Sequence, residues 1–224
     1  MRVLIVAPDQ PGINAVPEVR RIQARHDIAL LYGAVTAEDV FRSCQEKPFD
    51  VIHFAAHGGP DGVSLSSGTV LSVEDIAQIL RLRETRGVFF SSCNAGKLAA
   101  YCARHGATWA ICSEVELEDD AAWKMAAAFY SHQSNGHAKD FVGAYTLADS
   151  GDGDYGLHIA PEYIQELQRA AALATTLPHA GLTLTRAEML RWAAALLVLS
   201  VLLSWLIVRM AGGGGINARQ SGGF

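Results

Sequence analysis

Two short apolar runs, each stopped by a reactive side chain with glycine close behind, most constrain what this chain can fold into. The first reads Phe49-Asp-Val-Ile-His-Phe-Ala-Ala-His-Gly58, and the second Gly87-Val-Phe-Phe-Ser-Ser-Cys-Asn-Ala-Gly96. In the first, Val51, Ile52, Phe54, Ala55 and Ala56 leave almost no polar face, as a central parallel strand covered on both sides requires. His57, Gly58, Gly59 and Pro60 end it. In the second, Val88, Phe89 and Phe90 form the run, and Ser91 to Asn94 lie where it breaks into a loop. Open parallel sheets hold their active sites in the crevice at the carboxyl ends of the strands. Neighbouring strands would therefore bring His57 and Cys93 out on one edge.

The rest of the chain alternates in the same way. Residues 3–7 read as a first strand, Val16 to Arg25 as a helix, and Ile28 to Val35 as a second strand. Thr36-Ala-Glu-Asp39 has the capping-box pattern and opens a helix that Pro48 forbids from continuing. The stretch from Gly58 to Leu71 is rich in Gly and Ser and predicts a small hairpin or flap beside the site. Ser72-Val-Glu-Asp75 starts another helix with Ile76, Ile79 and Leu80 on one face. Lys97 to His105 is a helix stopped by Gly106, Thr108 to Ser113 a fifth strand, and Ala121 to His132 a long helix. Residues 149–156 read as a solvated loop, because their Asp positions do not fit a calcium loop, and a further helix runs from about Glu162 to Thr175. Such alternation predicts an α/β fold with a mostly parallel sheet and helices on both faces.

A thiol is a nucleophile only as thiolate, and its free pKa of about 8.5 leaves little of that form at neutral pH. A nearby imidazole draws off the proton and later returns it to a leaving amine. The helix opening near Lys97 would aim its N-terminal dipole at Cys93. The backbone N–H groups of Gly58 and of Cys93 are candidates for an oxyanion hole. Against this stand the ordinary roles of such residues: a cysteine at a strand end as a small buried side chain, a histidine as a satisfied hydrogen-bonder. His53 shares a strand face with His57, and its place inside the apolar run points to a core position. His53, His57 and Cys93 lack the fourth ligand and the short spacing of a zinc site, so no metal and no cofactor is expected. Cys44, Cys102 and Cys112 read as structural.

Three blocks carry a family resemblance: His53-Phe-Ala-Ala-His57-Gly58, Ser91-Ser-Cys93-Asn-Ala-Gly96, and Glu118-Asp119 onward through Phe129-Tyr130 to Gly136. Together, over roughly residues 28 to 145, they resemble a CHAT domain, the caspase-like peptidase family related to separases and caspases. The resemblance implies a caspase-like fold, a His57/Cys93 dyad, help from Gly58 at the oxyanion, and a protein or peptide substrate. Ser113-Glu-Val-Glu116 departs from the tryptophan or apolar residue usual before the acidic block. Sensor repeats are absent from the sequence, so activation is expected from a partner, from self-association or from self-cleavage. Asp61, Glu114, Glu116 and Asp119 are acids on loops near the crevice, candidates to pair with a basic substrate side chain as in related arginine-directed proteases. The bland reading is preferred for two of them, Asp119 as a helix N-cap and Asp61 as a turn residue. Bacterial-type chains of this build point by analogy to a defence or cell-death effector.

Composition bounds the alternatives. A net charge of −5 gives no electrostatic footprint for nucleic acid. The four cysteines show no CxxC spacing and suit a reducing compartment. The N-terminal apolar run is too short for a signal peptide. Hydrophobic content reaches 50%, with the excess concentrated from Trp192 to Val208, which holds no charge and two serines between Arg191 and Arg209. It reads as a short transmembrane anchor, with a buried core helix as the alternative. The expected organisation is a peptidase domain over 1–177, a linker over 178–190, a membrane helix over 191–210, and a disordered Gly-rich tail over 211–224. Arg186 and Arg191 put the catalytic domain on the cytoplasmic side. Besides an active membrane-anchored endopeptidase, the sequence admits a catalytically silent module that assembles partners at the membrane. A nucleotide-binding α/β domain is disfavoured by the lack of GxGxxG or GxxxxGK[ST].

Overall fold

A run of apolar residues with no polar face is stable as a strand only if helices cover both of its sides, and four such strands form the middle of this molecule. The computed structural model describes residues 1–66, 68–82, 85–116, 119–134, 141–149 and 154–176. Strands β1 (Arg2–Pro8), β3 (Val51–Ala55), β7 (Gly87–Ser91) and β8 (Trp109–Ser113) are buried along nearly their whole length. They lie inside a six-stranded sheet between β2 (Asp27–Gly33) and β9 (Tyr155–Ile159), in the order β2-β1-β3-β7-β8-β9. All pairs are parallel except β8 with β9. A mostly parallel sheet is therefore observed, as expected.

The helices divide between the two faces. On one, α2 (Ala37–Glu46), α3 (Val73–Leu82) and α4 (Gly96–His105) cover Leu4, Ile52, Phe54, Val88, Phe90, Ala110 and Cys112. On the other, α1 (Val16–Gln23), α5 (Asp119–Ser134) and α6 (Phe141–Ala148) cover Val3, Ile5, Val51, Phe89, Trp109 and Ile111. Large rings fill both layers: Phe54 stacks on Phe90 with centroids 5.5 Å apart, and Trp109 packs on Phe129 at 5.4 Å. Gly87 is required beside Trp109, because a Cβ there would run into the indole ring.

Local chemistry fixes the helix starts. Thr36 Oγ1 accepts from the Asp39 N–H (3.3 Å) while Asp39 Oδ2 accepts from the Thr36 N–H (3.0 Å), a complete capping box. Ser72 Oγ accepts from the Asp75 N–H (3.1 Å) at the head of α3, whose Ile76, Ile79 and Leu80 are buried. Between β3 and α3, strands β4 (Gly58–Gly59), β5 (Gly62–Ser64) and β6 (Val70–Ser72) form a small antiparallel sheet where a hairpin or flap was expected.

Three expectations change. Strand β3 stops at Ala55, so His57 lies in the link to β4 and not on the strand itself. The loop expected over 149–156 already contains the start of β9, an antiparallel edge strand. Helix α6 was not anticipated. Met1–Ala171 forms one compact unit; α7 (Pro161–Thr176) ends in a second, Ala172–Phe224. The expected linker, membrane helix and tail lie outside the described residues, among which no helix is long and apolar enough to cross a membrane.

Candidate active site

Strands β3 and β7 are parallel neighbours, with His53 opposite Phe89 and Ala55 opposite Ser91. Their carboxyl ends therefore open side by side, and both His57 and Cys93 line a cleft of about 260 Å³ at that edge. The wall opposite comes from the β1–α1 loop (Gly12 to Ala15), from Glu18 on α1, and from Ala122 and Trp123 on α5. Cys93 is partly buried and His57 exposed.

The histidine is held from the β1–α1 loop. Its backbone N–H donates to Gln10 Oε1 (2.8 Å), and its Nε2 lies 2.9 Å from the Pro11 carbonyl. A carbonyl only accepts, so Nε2 carries a hydrogen, and in the neutral imidazole the lone pair is then on Nδ1.

The cysteine is held from the other side. Asn94 takes a positive φ of 51°, the left-handed turn that asparagine tolerates better than most residues. The turn lets Asn94 N–H donate to the Val115 carbonyl (3.2 Å) and Ala95 N–H to that of Ser113 (3.0 Å), fixing the loop to the end of β8. Helix α4 then begins at Gly96, two residues after Asn94, without a side-chain cap. Buried Ser92 donates from Oγ to the Ala56 carbonyl (2.6 Å), tying the end of β7 to that of β3. Gly58 presses on this clamp: a Cβ there would come within 2.8 Å of Ser92 Cβ.

Beneath the cleft lies a polar cluster that the sequence did not reveal. Glu18 is only 4% exposed yet lines the cleft, and Ser91 Oγ donates to its Oε1 (2.8 Å). Fully buried His53 brings Nε2 to 3.1 Å from the same oxygen. That separation is an ion-pair distance, but the ring nitrogen is not aligned for a hydrogen bond. On the far side His53 Nδ1 meets the Tyr130 hydroxyl at 3.3 Å. Burial first, and the Glu18 charge second, push the Tyr130 phenol well above its usual pKa, so it stays protonated. Tyr155 is driven the same way by burial and then by Glu18, and its buried hydroxyl has no hydrogen-bond partner among the described residues.

The remaining acids separate. Glu116 lines the cleft. Glu114 does not; its carboxylate faces the other side of the sheet, 3.2 Å from His158 Nε2. Asp61 is exposed in the turn between β4 and β5, where its carbonyl accepts from Val73 N–H, and is not among the residues lining the cleft. Asp119 is the first residue of α5. Burial pushes the thiols of Cys44 and Cys102 up to about 12, so neither ionises near neutrality. Gln10 and Pro11 were also missed, since nothing local in the sequence ties the β1–α1 loop to His57.

A family model described as "CHAT domain" matches residues 7–141. No curated protein matches the chain. Among solved structures, the chain is similar to the Arg-specific cysteine proteinase gingipain R, with a TM-score of 0.55 and 11% identity. That similarity covers 71% of this chain and 46% of gingipain R, and shows a shared fold. The matched segment contains both strand ends and every residue described around the cleft except Tyr155, and the chain belongs to the CHAT domain family.

Proposed function

We propose that the chain is a cysteine endopeptidase in which Cys93 is the nucleophile and His57 the general base. One observation carries this reading: the two residues follow the ends of adjacent parallel strands and line one cleft, with His57 Nε2 turned to the Pro11 carbonyl. Cys93 Sγ attacks the scissile carbonyl while His57 Nδ1 takes the thiol proton. The tetrahedral oxyanion is held by the N–H groups of Gly58 and Cys93, and such donors lower a barrier by about 2.7 to 4 kcal/mol each. The imidazolium then protonates the leaving amine, giving a thioester on Cys93. Water, giving its proton to Nδ1, hydrolyses that thioester and restores the thiol.

The cleft favours a basic side chain before the scissile bond. Two carboxylates, Glu18 and Glu116, line it, and no Lys or Arg lines it among the described residues. The anchor over 191–210 would hold the enzyme at a membrane, raising the effective concentration of membrane-proximal substrates. Cleavage of a peptide library tests the substrate class. Peptides with Arg or Lys before the cut should be preferred, and Glu18→Gln should shrink the preference about ten- to a hundredfold, as for a charged hydrogen bond worth about 1.5–3 kcal/mol. Equal cleavage of acidic and basic peptides would refute the assignment of Glu18 and Glu116. Cleavage unaffected by Cys93→Ala would refute the peptidase mechanism.

A further inference from the structure

On the sheet face opposite the cleft, three side chains with good transition-metal donors converge: Cys112 and Glu114 from the end of β8, and His158 from β9. The antiparallel register explains the meeting. Cys112 is opposite Gly156 and Ala110 is opposite His158, so Cys112 and His158 share one face as diagonal neighbours. The thiol sulfur, a carboxylate oxygen and an imidazole nitrogen all lie within 4.8 Å of one another. Glu114 Oε1 and His158 Nε2 are 3.2 Å apart. In tetrahedral zinc sites, with bonds of about 2.0–2.3 Å, neighbouring ligand atoms stand about 3.3–3.6 Å apart. The Glu–His edge is already close to that length, and the sulfur, within 4.8 Å of both partners, needs to move by about 1.5 Å at most.

The surroundings are shaped around the carboxylate. A Cβ on Gly96, at the head of α4, would lie 2.5 Å from Glu114 Oε2, and a Cβ on Gly156 would overlap its Oε1. Cys112 is fully buried, whereas the side chains of His158 and Glu114 are 27% and 32% exposed, so a metal could enter from their side. Glu114 also lies between Ser113 and Val115, whose carbonyls anchor the Cys93 loop.

We propose that Cys112, Glu114 and His158 form a transition-metal site, suited to zinc, behind the loop that carries Cys93. A thiolate with one imidazole and one carboxylate is a zinc-type donor set and excludes magnesium or calcium. Three protein ligands leave one position for water, and binding releases the Cys112 thiol proton to solvent. The site does not depend on the dyad's being active.

Cobalt titration of the reduced, purified full chain tests the site. A thiolate-to-cobalt charge-transfer band should saturate at one equivalent in wild type and equally in Cys93→Ala, and zinc should bleach it. Cys112→Ser should abolish the band. His158→Ala, a partly exposed change that keeps the thiol, should weaken binding at least tenfold with little change in melting temperature. The proposal is overturned by the absence of a band in wild type. It is equally overturned by a band that survives Cys112→Ser, or by one lost in Cys93→Ala, which would put the metal at the dyad.

Discussion

His57 depends on two residues distant in sequence for its orientation. Gln10 accepts its backbone N–H, and Pro11 accepts from its ring. A single neutral hydrogen bond of this kind is worth about 0.5–1.5 kcal/mol. Gln10→Ala should therefore slow reaction of Cys93 with a peptidyl electrophile about two- to tenfold, and Gln10→Glu, which keeps the accepting oxygen, should restore it. Equal rates in the three proteins would show that Gln10 does not position the base. At this scale the sequence was informative about His57 and Cys93, because both punctuate apolar runs. It was silent about Glu18: an acid in the first turn of a helix ordinarily complements the dipole, and its burial depends on His53 and Ser91, far along the chain.

Between elements, the critical join is the one that keeps the ends of β3 and β7 together. Ser92 supplies it from within the core, through its bond to the Ala56 carbonyl. Ser92→Ala should cost about 1–3 kcal/mol, the usual penalty for leaving a buried acceptor unsatisfied. Urea denaturation measures this directly, and an unchanged midpoint would mean that Ala56 finds another donor. Elements with local signals were legible: the Thr36 and Ser72 caps, and the uniformly apolar central strands. Helix α6 was not, because Phe-Val-Gly-Ala-Tyr-Thr-Leu-Ala is apolar nearly all round and has no helical stripe. Nor was β9, a short edge strand joined to β8 by antiparallel pairing across a long separation, following a loop rich in Asp and Gly.

For the whole molecule, the α/β sandwich fixes two polar centres on opposite faces of one sheet. The cleft with His57 and Cys93 opens on the α1 and α5 side, and the Cys112 cluster faces the α4 side. Both draw on the backbone of residues 113–115, so the segment after β8 joins them physically. The parallel architecture was readable because buried strands alternate with capped helices. The cluster behind the loop was not, because His158 is brought to Cys112 by antiparallel pairing at the edge of an otherwise parallel six-stranded sheet. The central claim is that His57 activates Cys93, and covalent labelling by a peptidyl thiol-reactive electrophile tests it most directly. The account predicts rapid, stoichiometric labelling of the wild-type full chain at Cys93, none at that site in Cys93→Ala, and labelling slowed at least a hundredfold in His57→Ala, the usual scale of general-base catalysis. Wild type labelled no faster than His57→Ala would contradict it.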